Sequence, residues 1–182
     1  MSFRAFVAVD VECGPLLQEA ITELKAHGRA LKPVSPSNVH ITLKFLGEIF
    51  ERKVPDIGSA IRSAVQGIPS FELRLVNVGV FPNKGVPRVV WVGMEGTEPL
   101  EKIAAAREEG CEPLGFPRER RPFSPHLTLA RVREGYRPDV SGFLQEHQGQ
   151  EFGSFRVDRI RLKKSVLTPA GPIYSDVQTF EL

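Results

Sequence analysis

Apolar and polar positions alternate over residues 3–9, with Phe3, Ala5, Val7 and Val9 on one face and Arg4, Phe6 and Ala8 on the other. This is the pattern of a strand buried on most of both faces. After Gly14-Pro15 the period lengthens: Leu16, Leu17, Ala20, Ile21 and Leu24 recur at helical spacing, with Pro15 suited to the first turn and Gly28 to the exit. Pro33 and Pro36 make a stiff loop into a strand over 39–46. A helix over 54–65 follows, its stripe made by Ile57, Ile61, Ala64 and Val65, and Gly67 ends it. Phe71, Leu73 and Leu75 begin a strand whose hairpin partner spans 88–94, across turn residues 79–85. A helix over 98–110 and a short helix near Val140, Phe143 and Leu144 precede two closing strands, 152–163 and 173–180.

One word occurs twice in this pattern. His40-Ile41-Thr42-Leu43 and His126-Leu127-Thr128-Leu129 each place a histidine and a threonine on one face of a strand and two apolar residues on the other. A single copy would be an ordinary solvated strand face. Two copies, using two of the four histidines in the chain, are a weak fit to coincidence. The words lie about half the chain apart, and the element order is loosely echoed after residue 98. The expected fold is therefore α+β and bilobal: two mainly antiparallel sheets related by a pseudo-two-fold, helices on the outer faces, and a central cleft between the histidine strands. No linker-like stretch divides the lobes, so residues 1–182 are expected to form a single domain.

Composition narrows the reading by exclusion. With 41% apolar and 25% charged residues the chain is far from disorder, and a net charge of +2 gives no global funnel for nucleic acid. Cys13 and Cys111 have no Cys-x-x-Cys spacing, which suits free thiols in a reducing compartment. Residues 1–10 do not read as a signal peptide and no run reaches membrane-spanning length, so the expectation is a cytoplasmic protein without a membrane partner. Arg118, Arg120 and Arg121 precede the second word, either as the rim of a site or as a solvated loop. The basic cluster Arg156, Arg159, Arg161, Lys163 and Lys164 is equally open between rim and solubilising surface.

Two facing histidines near neutral pH can hold one proton between them, acid on one side and base on the other. Such a pair suits an in-line displacement at phosphorus, one imidazole taking the proton of the attacking oxygen and the other protonating the leaving oxygen. Thr42 and Thr128 could bond the non-bridging phosphoryl oxygens. Arg131 is the candidate cation, although strict alternation sets it with Leu127 and Leu129, so a strand end or bulge is needed to turn it toward His126. Lys44 shares parity with His40 but reads as a surface lysine. There is no three- or four-ligand metal pattern beside either word, no serine or cysteine nucleophile signature, and no phosphate-cradling glycine loop. His27 and His147 read as bystanders.

At these residues the chain resembles the two-histidine phosphoesterases, and among them the RNA 2′,3′-cyclic phosphodiesterases, also called 2′-5′ RNA ligases. The resemblance runs through Phe3-Arg4-Ala5-Phe6-Val7-Ala8, Asn38 to Gly47, Gly79-Val80-Phe81-Pro82 with Val90-Trp91-Val92-Gly93, Pro122 to Arg131, and Leu162 to Ser165 with Gly171-Pro172-Ile173-Tyr174. It implies a bilobal α+β fold that opens a terminal 2′,3′-cyclic phosphate of RNA to a 2′-phosphate with no cofactor and no metal. His126 would be the proton acceptor, His40 the proton donor, and Thr42, Thr128 and Arg131 the phosphate-binding residues. The reverse reaction, 2′-5′ ligation, would be weaker. The implied partner is RNA with a 2′,3′-cyclic phosphate end, tRNA fragments included, acted on by a monomer. Phe45 and Phe81 are candidates to stack on the terminal base, with core packing the competing role for Phe45. Two other functions stay open: a phosphodiesterase for small cyclic nucleotides or ADP-ribose cyclic phosphate, and a nucleotide- or RNA-binding module without turnover.

Overall fold

A computed structural model describes all 182 residues. Strands β1 (Ser2–Asp10), β3 (His40–Phe50), β8 (Arg159–Thr168) and β9 (Gly171–Glu181) form one antiparallel sheet in the order β3-β1-β8-β9. Strands β2 (Leu31–Pro33), β4 (Phe71–Phe81), β5 (Val89–Glu95), β6 (Leu127–Val132) and β7 (Glu151–Val157) form the other, in the order β2-β6-β5-β4-β7. Setting β2 aside, the two orders superpose: β3-β1-β8-β9 on β6-β5-β4-β7. The α+β bilobal expectation holds, and the echo begins at β5, because strand, helix and histidine strand recur as β5, a helix and β6.

Four helices accompany the sheets: α1 (Pro15–Leu24), α2 (Val54–Val65), α3 (Glu98–Cys111) and α4 (Ser141–Glu146). Helix α1 buries Leu17, Ala20, Ile21 and Leu24, the 3.6-residue stripe seen in the sequence, and it packs on β2, β6 and β7 of the second sheet. Helices α2 and α3 pack together, and α2 also covers β9. The first sheet takes its strands from both chain termini, and α1 crosses to the other lobe. A continuous cluster of 34 buried apolar residues therefore runs through both lobes. No helix is long and apolar enough to cross a membrane.

Two readings from the sequence are corrected. Residues 152–163 are not one strand: the chain leaves the second sheet at Val157 and enters the first at Arg159. The apolar alternation slips at this point, from Phe155 and Val157 before Asp158 to Ile160 and Leu162 after it, and that slip is the mark the break leaves in the sequence. Its corner is held by the Asp158 carboxylate, which accepts from Arg159 Nε at 2.8 Å, and by its carbonyl, which accepts from the Leu182 N–H at 2.9 Å. Pro33, read as the start of a stiff loop, instead ends the short edge strand β2. An edge tolerates Pro33, since the missing N–H faces no partner strand.

Candidate active site

The two histidine words stand on β3 and at the entrance to β6, and these strands, one from each sheet, touch across the lobe boundary. In each word the apolar residues are buried: Ile41 and Leu43 on one side, Leu127 and Leu129 on the other. His40, Thr42, His126 and Thr128 are half-buried on the opposite face.

Both imidazoles are held alike. His40 Nδ1 lies 2.6 Å from the Asn38 carbonyl, and His126 Nδ1 lies 2.8 Å from the Ser124 carbonyl. A carbonyl can only accept, so each Nδ1 carries the hydrogen and each Nε2 is the working nitrogen. Asn38 is itself tied down, its side-chain amide donating to the Pro172 carbonyl of β9 at 2.9 Å. Aromatic rings set the remaining faces. Phe6 and Tyr174 lie with centroids 5.1 and 5.3 Å from His40, and Phe81 stands edge-on to His126 at 5.0 Å. Trp91 backs Phe81 at 5.2 Å. Gly79, paired with Trp91, leaves room for the indole where any Cβ would collide with it.

A bulge at the same place in each word decides which later side chains reach the cleft. On β6, Val90 pairs with Ala130 but Trp91 with Thr128, so Leu129 is the extra residue; on β3, Val7 pairs with Lys44 but Ala8 with Thr42, so Leu43 is. Beyond each bulge the alternation is reversed. Arg131 comes round to lie beside Val89, which pairs with Phe81, and so it shares the face of His126. Phe45 comes round beside Phe6, their rings 6.3 Å apart, and is 60% exposed rather than packed in the core. Lys44 is turned inward by the same bulge. It is not a surface lysine: 3% exposed, it bonds Glu108 Oε1 at 2.9 Å and the Pro117 carbonyl at 3.0 Å.

Charges gather beside His40. Asp10 faces it across the β1/β3 pair, and Lys163 Nζ donates to Asp10 at 2.8 Å and to Asp176 at 2.8 Å. Arg161 joins both carboxylates, 2.9 Å from Asp10 and 2.5 Å from Asp176. Of the basic cluster noted in the sequence, Lys163 and Arg161 thus belong to the cleft floor. The chain does not reveal Asp10, Phe6 or Tyr174 as neighbours of His40, because the first two become so through the pairing of β1 with β3 and the third through a contact from β9, which pairs with β8. Burial pushes the His40 imidazole below its ordinary range; the Asn38 carbonyl and Asp10 oppose this, and the charges of Lys163 and Arg131 add to it. Burial also lowers His126, opposed by the Ser124 carbonyl and reinforced by Arg131. Arg131 therefore acts electrostatically on both histidines.

His147 has a structural place. Its Nε2 lies 2.6 Å from Glu23 of α1 and its Nδ1 2.6 Å from the Gln150 side chain, tying α1 to the end of α4.

A bilobal antiparallel fold with one histidine-threonine strand on each side of a shared cleft defines a two-histidine class of protein. Within it, the chain belongs to the 2′-5′ RNA ligase superfamily, whose family profile matches residues 14–166. It is 38% identical to the RNA 2′,3′-cyclic phosphodiesterase of Methanothermobacter thermautotrophicus over the whole of both chains. It is also 38% identical to the enzyme of that name from Thermotoga maritima, covering 94% of this chain and 91% of that one. Among solved structures it is similar to a Thermus thermophilus protein, TT0787, with TM-score 0.78, 32% identity and 98% and 97% of the two chains covered. Escherichia coli LigT complexed with 3′-AMP follows at TM-score 0.75 and 27% identity, with 100% and 99% covered.

Proposed function

We propose that the protein is an RNA 2′,3′-cyclic phosphodiesterase in which water attacks the terminal cyclic phosphate and leaves a 2′-phosphate. The observation that carries this reading is the matched pair of imidazoles, each locked through Nδ1 and each influenced by Arg131. His126 Nε2 accepts the proton of the attacking water as the new P–O bond forms. The P–O3′ bond breaks, and His40 Nε2–H protonates the departing 3′ oxygen. Arg131 disfavours the protonated imidazole at both histidines, but only His40 has a carboxylate, Asp10, acting against that effect and against Lys163, which supports this division of roles. Thr42, Thr128 and Arg131 hold the non-bridging oxygens, where charge is carried through the displacement.

Each proton in this scheme moves to or from a protein group, so no cofactor or metal enters a step. The relatives named for the same activity support the substrate class, and a nucleotide phosphate bound to LigT is in keeping with it. With a 5′-hydroxyl RNA end in place of water, the same steps run backwards give a 2′-5′ linkage, as the weaker activity. Both histidines, both threonines and the arginine belong to one chain, so a single bilobal domain acting as a monomer suffices for the reaction, and tRNA fragments with cyclic-phosphate ends fall within the substrate class. Two free cysteines suit a cytoplasmic setting.

The test is to incubate the protein with a short RNA ending in a 2′,3′-cyclic phosphate, in EDTA and without nucleoside triphosphate, and to locate the phosphate in the product. A 2′-phosphate end, absent with His126→Ala, is expected. A 3′-phosphate, chelator-sensitive turnover, or binding without turnover would each overturn the reading.

A further inference from the structure

Phe45 lies at the edge of a groove of about 400 Å³ whose other wall is the loop over 116–121, with Phe116 and the side chains of Arg118, Arg120 and Arg121. The loop is pinned from beneath by buried charge. Lys44 Nζ donates to the Pro117 carbonyl at 3.0 Å, while Glu108, which Lys44 also bonds, accepts from the Glu119 N–H at 3.3 Å. With the main chain fixed at 117 and 119, the arginines face outward around the groove. Arg118 is engaged by Glu112 at 2.8 Å, but Arg120 and Arg121 are exposed and have no ion-pair partner. The groove adjoins the histidine site through packed rings: Phe45 sits beside Phe6, and Phe6 sits against His40. Phe6 stands between the two rings, 5.1 Å from His40 and 6.3 Å from Phe45, so Phe45 is set one ring's width away from the reacting end rather than against it.

An exposed aromatic face beside unpaired cations is the chemistry that takes single-stranded nucleic acid: bases stack on the ring and guanidinium groups meet phosphates. We propose that this groove is a track for the RNA chain that leads up to the reacting end, with Phe45 stacking a base and Arg120 and Arg121 holding backbone phosphates. This rests on the reading of the protein as an RNA phosphodiesterase and adds to it where the strand that leads up to the reacting end is held. The buried Lys44–Glu108 pair is then the brace that keeps the track open.

The experiment compares dissociation constants, measured without turnover, for adenosine 2′-phosphate and for a fluorescent RNA octamer ending in a 2′-phosphate. The octamer should bind about 10-fold tighter or more, with a steeper dependence on salt. Arg120→Glu and Arg121→Glu should each shrink the ratio of the two constants and reduce the salt slope by about 0.7 for every phosphate no longer neutralised. Phe45→Ala should lower octamer affinity roughly 5-fold or more through the missing stack. Arg62→Glu, on α2, serves as the charge-matched control. An octamer that binds no tighter than the mononucleotide, or a ratio indifferent to all three groove variants, would overturn the track. Hydrolysis with no dependence on length refutes the track alone; length-dependent binding with no hydrolysis refutes the phosphodiesterase reading alone.

Discussion

His40 and His126 are anchored by the same bond, Nδ1–H to the carbonyl two residues earlier, Asn38 at 2.6 Å and Ser124 at 2.8 Å. Equal anchoring leaves Nε2 as the free nitrogen of each ring. What separates them is the electrostatic surroundings: Asp10 and Lys163 act on His40, and Arg131 acts on both.

That difference can be moved by substitution. Asp10→Asn removes the charge that favours protonated His40, so the alkaline limb of kcat/KM should shift to lower pH. Lys163→Met removes an opposing charge and should shift that limb to higher pH. The acid limb, set by His126, should stay in place in both. A pH–rate series on the two variants checks the signs; an acid limb that moves with Asp10 would reverse the assignment.

Arg131 reaches the cleft only because Leu129 is an extra residue in β6. Arg131→Ala should lower kcat/KM by about 10²-fold, the scale of losing one donor to developing charge. Arg131→Lys should recover part of it, since a point charge replaces a planar fork. Steady-state kinetics on cyclic-phosphate RNA decides the matter, and a fall in stability without a fall in rate would contradict it.

Lys44→Ala should destabilise the fold by about 1–3 kcal/mol, because it empties a buried position and removes one of the two cations at the half-buried Glu108, while Arg107 stays 2.8 Å from that carboxylate. Lys44→Met, which keeps most of the buried stem and leaves Glu108 to Arg107, should lose less than Lys44→Ala. Denaturant unfolding of the two variants measures the difference.

Gly79→Ala should cost about 1–3 kcal/mol by overpacking against Trp91, and activity should fall beyond what stability explains, because Trp91 backs Phe81 and Phe81 meets His126. Turnover measured well below the unfolding midpoint separates the two effects.

The helices over 15–24, 54–65 and 98–111 are legible in the sequence because each buries a stripe at 3.6-residue spacing, and the histidine words because a doubled motif needs no tertiary information. Alternation alone puts Phe45 and Lys44 on the wrong faces, for one reason. Strict alternation fails at Leu43, and a bulge is a property of a strand pair, invisible in one strand alone. The same event at Leu129 is foreseeable as a requirement for Arg131, since the chemistry asks for a cation there. Asp10 reaches His40 only through the pairing of β1 with β3, and Tyr174 only through the fold that brings β9 to it, so local pattern cannot find them.

The most direct measurement is the pH dependence of kcat/KM for the parent, His40→Ala and His126→Ala on RNA ending in a 2′,3′-cyclic phosphate. Since burial lowers both imidazoles in the free protein, the parent should give a bell centred below the ordinary histidine value of about 6.5. Each variant should lose about 10²–10⁴-fold in rate. His126→Ala should lose the acid limb, because no base remains to be titrated, and His40→Ala the alkaline limb, because no acid remains. A variant that keeps both limbs at near-parental rate would contradict proton relay by this pair.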